Sequence, residues 1–157
     1  MTVTVRLLSA DDAALFDNVA DGVFDEQVRP DRLAAYLREP GHLFVAAIAD
    51  GMIIGQCAGV IHRHPDKPDE LYIDEIGVAE AYLRQGIGTR MLDALLAFGR
   101  EKGCEEAWLG TEPDNLAARA LYRRTAGPPE TFVLYTFDLE EVQTGGGLII
   151  LRLRSAP

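Results

Sequence analysis

Cysteine is nearly absent. The 157 residues contain only Cys57 and Cys104, with no paired spacing, which argues against a disulfide framework, a cysteine-based metal site or a nucleophile. Each falls in an apolar stretch, so both read as buried free thiols. Histidine is scarce too, at three residues. His62 and His64, in "HRHP", are of metal-ligating type but read as a polar loop before Pro65, and no metal is expected. No apolar run approaches the roughly 18 residues of a membrane span, so no membrane partner is expected. The opening "MTVTVRLLSADDAALF" has no basic region followed by an apolar run, hence no secretory signal and an expected cytoplasmic location. Positive charge is in deficit, with 15 Lys and Arg against 25 Asp and Glu, a net charge of −10. Phosphate backbones would be repelled, and no basic stripe with interleaved aromatics offsets this. Nucleic acid is therefore an unsuitable partner and a cation a suitable one.

What is present is ordinary for one globular domain: 48% apolar and 25% charged residues over a length that supports one sizeable core. "TVTVRLL" alternates like a strand, and Ser9 with Asp12 forms a capping box ahead of a helix over about 11–20. A short helix near 31–38 starts after Pro30 and stops before Pro40. "HLFVAAIA", Asp50-Gly51 and "MIIGQCAGVIH" read as strand, tight turn and strand. "LYIDEIGV" is a fourth strand, followed by a helix over 87–102 with Ile87, Met91, Leu92, Leu95 and Phe98 on one stripe and Gly103 at its end. "EAWLGT" is a fifth strand. Asp114 or Asn115 caps a further helix, with Leu116, Ala117, Ala120 and Leu121 facing inward, and "TFVLYTFDL" is a sixth strand. The tail adds a Gly145–Gly147 hinge and the strand-like "LIILRLR", which pairs with the same sheet or with a second copy in a homodimer. The expected architecture is α/β (α+β), a six- to seven-stranded sheet with about four helices on both faces. It forms a single domain over 1–157, with its core in 3–139 and the tail in 140–157.

The chemistry concentrates in "DEIGVAEAYLRQGIGTRMLDALLAFGREKG", residues 74–103. A strand, a glycine-bearing turn and a long helix place backbone N–H groups at a positive helix end, a seat for phosphate. Gly86 and Gly88 let an anion approach the backbone, although a lone G-x-G requires only a turn. A P-loop would need Lys-Ser/Thr here, and a dinucleotide fold would carry its glycines after the first strand rather than the fourth.

"IGVAEAYLRQGIGTRMLDALLAFGREKG", with "TEPDNLAARALYRRTAG" downstream, resembles the acyl-CoA-binding core of the GNAT N-acetyltransferase superfamily over residues 3–139. "ELYIDEIGV", "ALYRRTAG" and "TFDL" further resemble its aminoglycoside 3-N-acetyltransferase (type I) branch. Leu83 stands where the superfamily usually has Arg or Gln, and Gly127-Pro128 replaces a usual Gly-Phe. The resemblance implies a mixed, mostly antiparallel sheet splayed at strands 4 and 5, and acetyl-CoA as cosubstrate. It implies coenzyme contacts from Ile76, Gly77, Val78, the turn Leu83, Arg84, Gln85, Gly86, Ile87, Gly88 and Thr89, and then Asn115, Ala118 and Tyr122.

Acetyl transfer needs a neutral amine, and an alkyl ammonium with a pKa near the lysine value of about 10.4 is mostly protonated at neutral pH. A neighbouring carboxylate can orient it and take its proton. Asp74 and Glu75 lie on opposite faces of a regular strand, Asp74 with Tyr72, Ile76 and Val78. Glu75 matches the acid of the resembling branch and is the expected base, with Asp74 second or a substrate contact. Tyr122 is the expected donor to the departing thiolate. Full transfer from Tyr to a cysteine-like thiolate is uphill by about 2 kcal/mol, so a hydrogen bond describes its role better. Asp25 and Glu26, in "DGVFDEQ" with Asp21, suit a cationic substrate, as would any solvated surface. The expected activity is acetylation of a small cationic amine such as an aminoglycoside. The alternatives are another amine (polyamine, amino acid or protein lysine), a non-catalytic acyl-CoA sensor, or an interaction module assembled through the tail.

Overall fold

The computed structural model describes residues 2–137 and 139. The chain divides into a unit over Met1–Tyr122 and another over Arg123–Pro157, and every helix and strand among the described residues lies in the first. Five strands, β1 (Val3–Leu7), β2 (His42–Ala49), β3 (Met52–His62), β4 (Glu70–Val78) and β5 (Glu106–Trp108), form one sheet in chain order. The first four pair antiparallel, and β5 joins β4 in parallel. The α-helices are α1 (Pro30–Arg38), α2 (Ile87–Glu101) and α3 (Leu116–Tyr122), with 3-10 segments at Ala10–Asp17 and Glu80–Tyr82.

The sheet is apolar on both faces because helices cover both. On one side Met91, Leu92 and Leu95 of α2 pack on Val45, Ile54, Cys57, Leu71 and Ile73. On the other, Phe16 and Val23 pack on Phe44, Ala46, Ile53 and Ala58, with Leu33, Tyr36 and Leu37 of α1 closing the edge. This is why β2 and β3 read as continuous apolar runs rather than alternating ones. Both thiols are buried and free, and burial pushes that of Cys57 up to about 12, which removes it as a nucleophile. The Asp50-Gly51 turn has positive φ at both residues, 50° and 78°, as a two-residue hairpin demands.

The structure departs from the sequence reading in four places. The segment expected as a helix over 11–20 is a 3-10 helix ending at Asp17. Asn18 and Ala20 instead exchange backbone hydrogen bonds with Ile53, at 2.9 Å each, so the chain is already docked on β3. Leu116, Ala117 and Ala120 are exposed, since α3 has only seven residues and reaches the core through Leu121 and Tyr122. Residues 131–137 form no strand, and Phe132, Val133, Leu134, Tyr135 and Phe137 are exposed, so the described sheet has five strands rather than six or seven. A strand requires a ladder partner, and these residues have none among the described ones. The tail strand expected within 140–157 lies outside the described residues. The fourth departure, a bulge in β4, belongs to the site below.

The first turn after β1 is held by charge. The Arg6 guanidinium lies 2.6 Å from the Asp12 carboxylate, which also accepts the Ser9 backbone N–H at 2.9 Å. The Arg6 hydrogen bond, followed by that N–H, holds the Asp12 carboxyl down at about 2. Asp12 therefore contributes stability in full above its unfolded pKa near 4 and loses it as pH falls through about 2. In acid-unfolding curves, Asp12→Asn is expected to lower stability at pH 6 and to flatten its decline between about pH 4 and 2. An unchanged curve would mean that this pair is not formed in solution.

Candidate active site

The site is built around β4 because its pairing changes partway along. Ala58 of β3 pairs with Glu75 and Gly59 with Ile73, so Asp74 is an extra residue without a cross-strand partner. Before the bulge Leu71 and Ile73 face α2; after it Ile76 and Val78 do. One added residue exchanges the faces of all that follow. The expectation that Asp74 shares a face with Tyr72, Ile76 and Val78 is therefore overturned. Glu75 takes the face of its partner Ala58, which packs with Val23 and Phe24.

That face carries an acidic cluster. Glu75, Asp74 and Asp25 are all exposed; partial desolvation against the strand first, then the charges of Asp25 and Asp74, push the Glu75 carboxyl above its ordinary value. Tyr36 of α1 borders the same cluster: burial first, followed by Asp74, Cys57 and Glu75, pushes its hydroxyl up, and that hydroxyl donates to the Leu43 carbonyl at 3.4 Å. The loop bearing Asp25 is fixed by Gln56, a buried polar side chain, whose Nε2 donates to the Val23 carbonyl at 2.7 Å. At Gly77 a Cβ would sit 3.2 Å from that same carbonyl, so the absent side chain lets the loop lie against β4. Sequence reasoning missed Tyr36, Val23 and Gln56. Gln56 alone left a signal, as the one amide in an apolar run. Glu26 is exposed on the Asp25 loop, and the negative charges acting on Glu75 come from Asp25 and Asp74.

Across the sheet, β4 runs into the glycine turn. Leu83 is half-exposed, Arg84 has φ 59° and Gly86 has φ 74°, the left-handed conformation that starts α2. The Gly86 carbonyl accepts from Arg90 at 3.1 Å, while the backbone N–H groups of Arg84, Gln85, Gly86, Ile87, Gly88 and Thr89 have no protein acceptor among the described residues. Such a row of free donors at a helix start is an anion seat. A non-glycine residue with positive φ, such as Arg84, costs about 1 kcal/mol or more. Ile87 is buried, and Gly88 lies beside Leu121 of α3 and Val78 of β4.

The helix α3 closes this side. Asn115 caps it, its Oδ1 accepting from Ala118 N–H at 3.1 Å. Tyr122, at its last position, packs on the α2-side core; burial first, then the charges of Cys57 and Glu112, pushes its hydroxyl up. Between the faces, β4 and β5 pair only over Glu70–Tyr72 with Glu106–Trp108. Beyond Tyr72, no strand among the described residues covers that edge of β4, the opening that a splay at strands 4 and 5 requires.

Residues 9–127 match the acetyltransferase (GNAT) family. The chain belongs to that family. It is an acyl-CoA N-acyltransferase. This GNAT chain is 33% identical over 123 residues to the N-alpha-acetyltransferase RimI of Mycobacterium tuberculosis, covering 77% of the chain and 75% of the relative. It is 27% identical over 110 residues to the aminoglycoside N(6')-acetyltransferase type 1 of Salmonella typhimurium, covering 68% of each. In fold it is similar to AAC(6')-Iy in complex with the bisubstrate analog CoA-S-monomethyl-acetylneamine, with a TM-score of 0.72, 19% identity, and coverage of 87% of this chain and 98% of that one. Both aminoglycoside acetyltransferases carry the 6' designation, not the 3-N designation expected from the sequence. No helix among the described residues is long and apolar enough to cross a membrane.

With no atom within 4 Å of a Cβ built at Gly86, Gly86→Ala introduces strain without a clash. Thermal melts are expected to show a loss of about 1 kcal/mol. A variant as stable as the parent would mean that the turn does not hold its left-handed residue.

Proposed function

We propose that this GNAT enzyme transfers an acetyl group from acetyl-CoA to a primary amine on a small cationic molecule, with an aminoglycoside as the favoured acceptor. The observation that carries the reading is the bulge that turns Glu75 to the face where the Asp25-bearing loop packs, within reach of the charges of Asp25 and Asp74, with the free N–H row at the end of the same strand. An acidic surface of this kind recruits a polycation and discriminates against anions. The aminoglycoside names among the relatives favour that class; the position acetylated is left open. The RimI relative makes a peptide amine the second reading.

The donors from Arg84 to Thr89 fit a pyrophosphate, and the bare backbone at Gly86 and Gly88 admits its close approach. Leu83 adds a backbone contact only. Bound there, the coenzyme would supply an activated acetyl thioester. On the open edge of β4 the Ile76 and Val78 amides face the pantetheine arm and the charge that builds on the thioester carbonyl, while Gly77, between them, turns its N–H to Gln56 of β3. Ala118 and the Asn115 side chain border the arm. Glu75 is the base: its raised pKa brings it nearer to neutrality, which improves proton transfer from the ammonium. Asp74, Asp25 and Glu26 hold the cation. Tyr122 stays protonated because its own pKa is raised, and it donates a hydrogen bond to the sulfur as charge develops.

Acetylation rates across aminoglycosides, polyamines, amino acids and N-terminal peptides test the reading. Glu75→Gln is expected to lower kcat/KM by about 10² or more while coenzyme binding is kept; Tyr122→Phe should lower kcat with the same retention. The acid limb of the pH profile should lie above the ordinary glutamate value and move down in Asp25→Asn. Because ionised Glu75 is disfavoured in the fold, its contribution to stability is lost as pH rises through its folded pKa, and Glu75→Gln should melt higher at neutral pH. Coenzyme binding without turnover of any amine would support the sensor reading instead.

A further inference from the structure

At the other end of β4, three side chains of metal-ligating type converge that the acetyl transfer does not use. His62 ends β3, His64 follows two residues later, and Glu70 opens β4. One donor atom from each lies within 4.8 Å of the others, and the two imidazole rings are 4.2 Å apart. His64 Nε2 is buried with no hydrogen-bond partner, although the Glu70 Oε1 atom is only 3.5 Å away. A buried polar atom left without a partner needs an explanation. That separation supplies one: two ligands about 2.1 Å from a tetrahedral zinc ion stand about 3.4 Å apart.

We propose that His62, His64 and Glu70 bind a divalent first-row transition ion, zinc foremost, clipping the β3–β4 hairpin. Two imidazoles and a carboxylate are a borderline donor set that suits zinc, and magnesium or calcium would call for more oxygen. The carboxylate is already oriented, since Trp108 Nε1–H donates to Glu70 Oε2 at 3.1 Å as an outer partner of a metal ligand does. Lys67 occupies the metal's electrostatic place in the metal-free chain, its Nζ 2.5 Å from Glu70 Oε1. Its side chain is half-exposed and can swing into solvent when the ion enters. His62 is exposed, and its ring already lies against that of His64. Asp66, Asp69, Glu105 and Glu106 surround the position against Arg63 and Lys67, so the local charge is favourable for a cation.

Calorimetric titration of tag-free, chelator-stripped full chain with zinc chloride tests this. One saturable site per chain is expected, insensitive to a large excess of magnesium, together with a rise in melting temperature. Cobalt(II) should give the visible absorption of a four- or five-coordinate site. His62→Ala and the double variant His62→Ala/His64→Ala should weaken binding at least tenfold, whereas Lys67→Ala, which removes the competing cation, should tighten it severalfold. Both His62 and Lys67 are at the surface, so the folded state is readily confirmed by circular dichroism. No saturable heat, or undiminished stoichiometric binding in the double variant, would overturn the assignment; so would a Lys67→Ala variant that binds zinc more weakly.

Discussion

The unpaired residue at Asp74 is the constraint on which the site depends. Up to Ile73, odd-numbered side chains of β4 enter the core beneath α2; from Ile76 on, even-numbered ones do. A regular strand would have sent Glu75 into that apolar core, where an isolated carboxylate costs several kcal/mol. The bulge turns it toward the Asp25 loop and Tyr36 and keeps Ile76 and Val78 under α2. One strand thereby serves two faces, with an acid on one and packed apolar residues leading to the glycine turn on the other.

The two faces are tied by contacts that leave little freedom. Gln56 fixes the loop through its bond to the Val23 carbonyl, and Gly77 lets the loop touch the strand. At the end of β4, Val78, Gly88 and Leu121 meet, joining the strand, the start of α2 and the end of α3. A shift of any of these would be felt by the row of free N–H groups and by Glu75 alike. The cost of the arrangement is visible in Arg84, a non-glycine residue at positive φ, and in an acid crowded by two others. Local strain in the glycine turn and like-charge repulsion on the other face are features that functional sites often retain.

Much of this was legible in the residues. The apolar runs of β2 and β3, the Asp50-Gly51 turn and the Ile87–Leu95 stripe each specify their element through local chemistry, and the two glycines at 86 and 88 marked the helix start. The face taken by Glu75 was not legible, because Ile73-Asp74-Glu75 alternates as well in a regular strand as in a bulged one; the register is set by β3. The 3-10 segment ends at Asp17 because of the Ile53 contact, which is distant in sequence. Leu116 has the right period for an inward face, but its helix is too short to carry it to the core. His62 and His64 were conspicuous, whereas Glu70 entered their company only when the hairpin folded. In each case local pattern named the element and a long-range contact decided the geometry.

The most direct test is a carboxyl-carbon NMR titration of Glu75 in the intact protein. Its crowding by Asp25 and Asp74 predicts a pKa above the ordinary glutamate value, a fall when Asp25 is replaced by asparagine, and a further fall when a cationic amine binds beside it. A Glu75 that titrates at or below the ordinary value, and ignores both changes, would contradict the account.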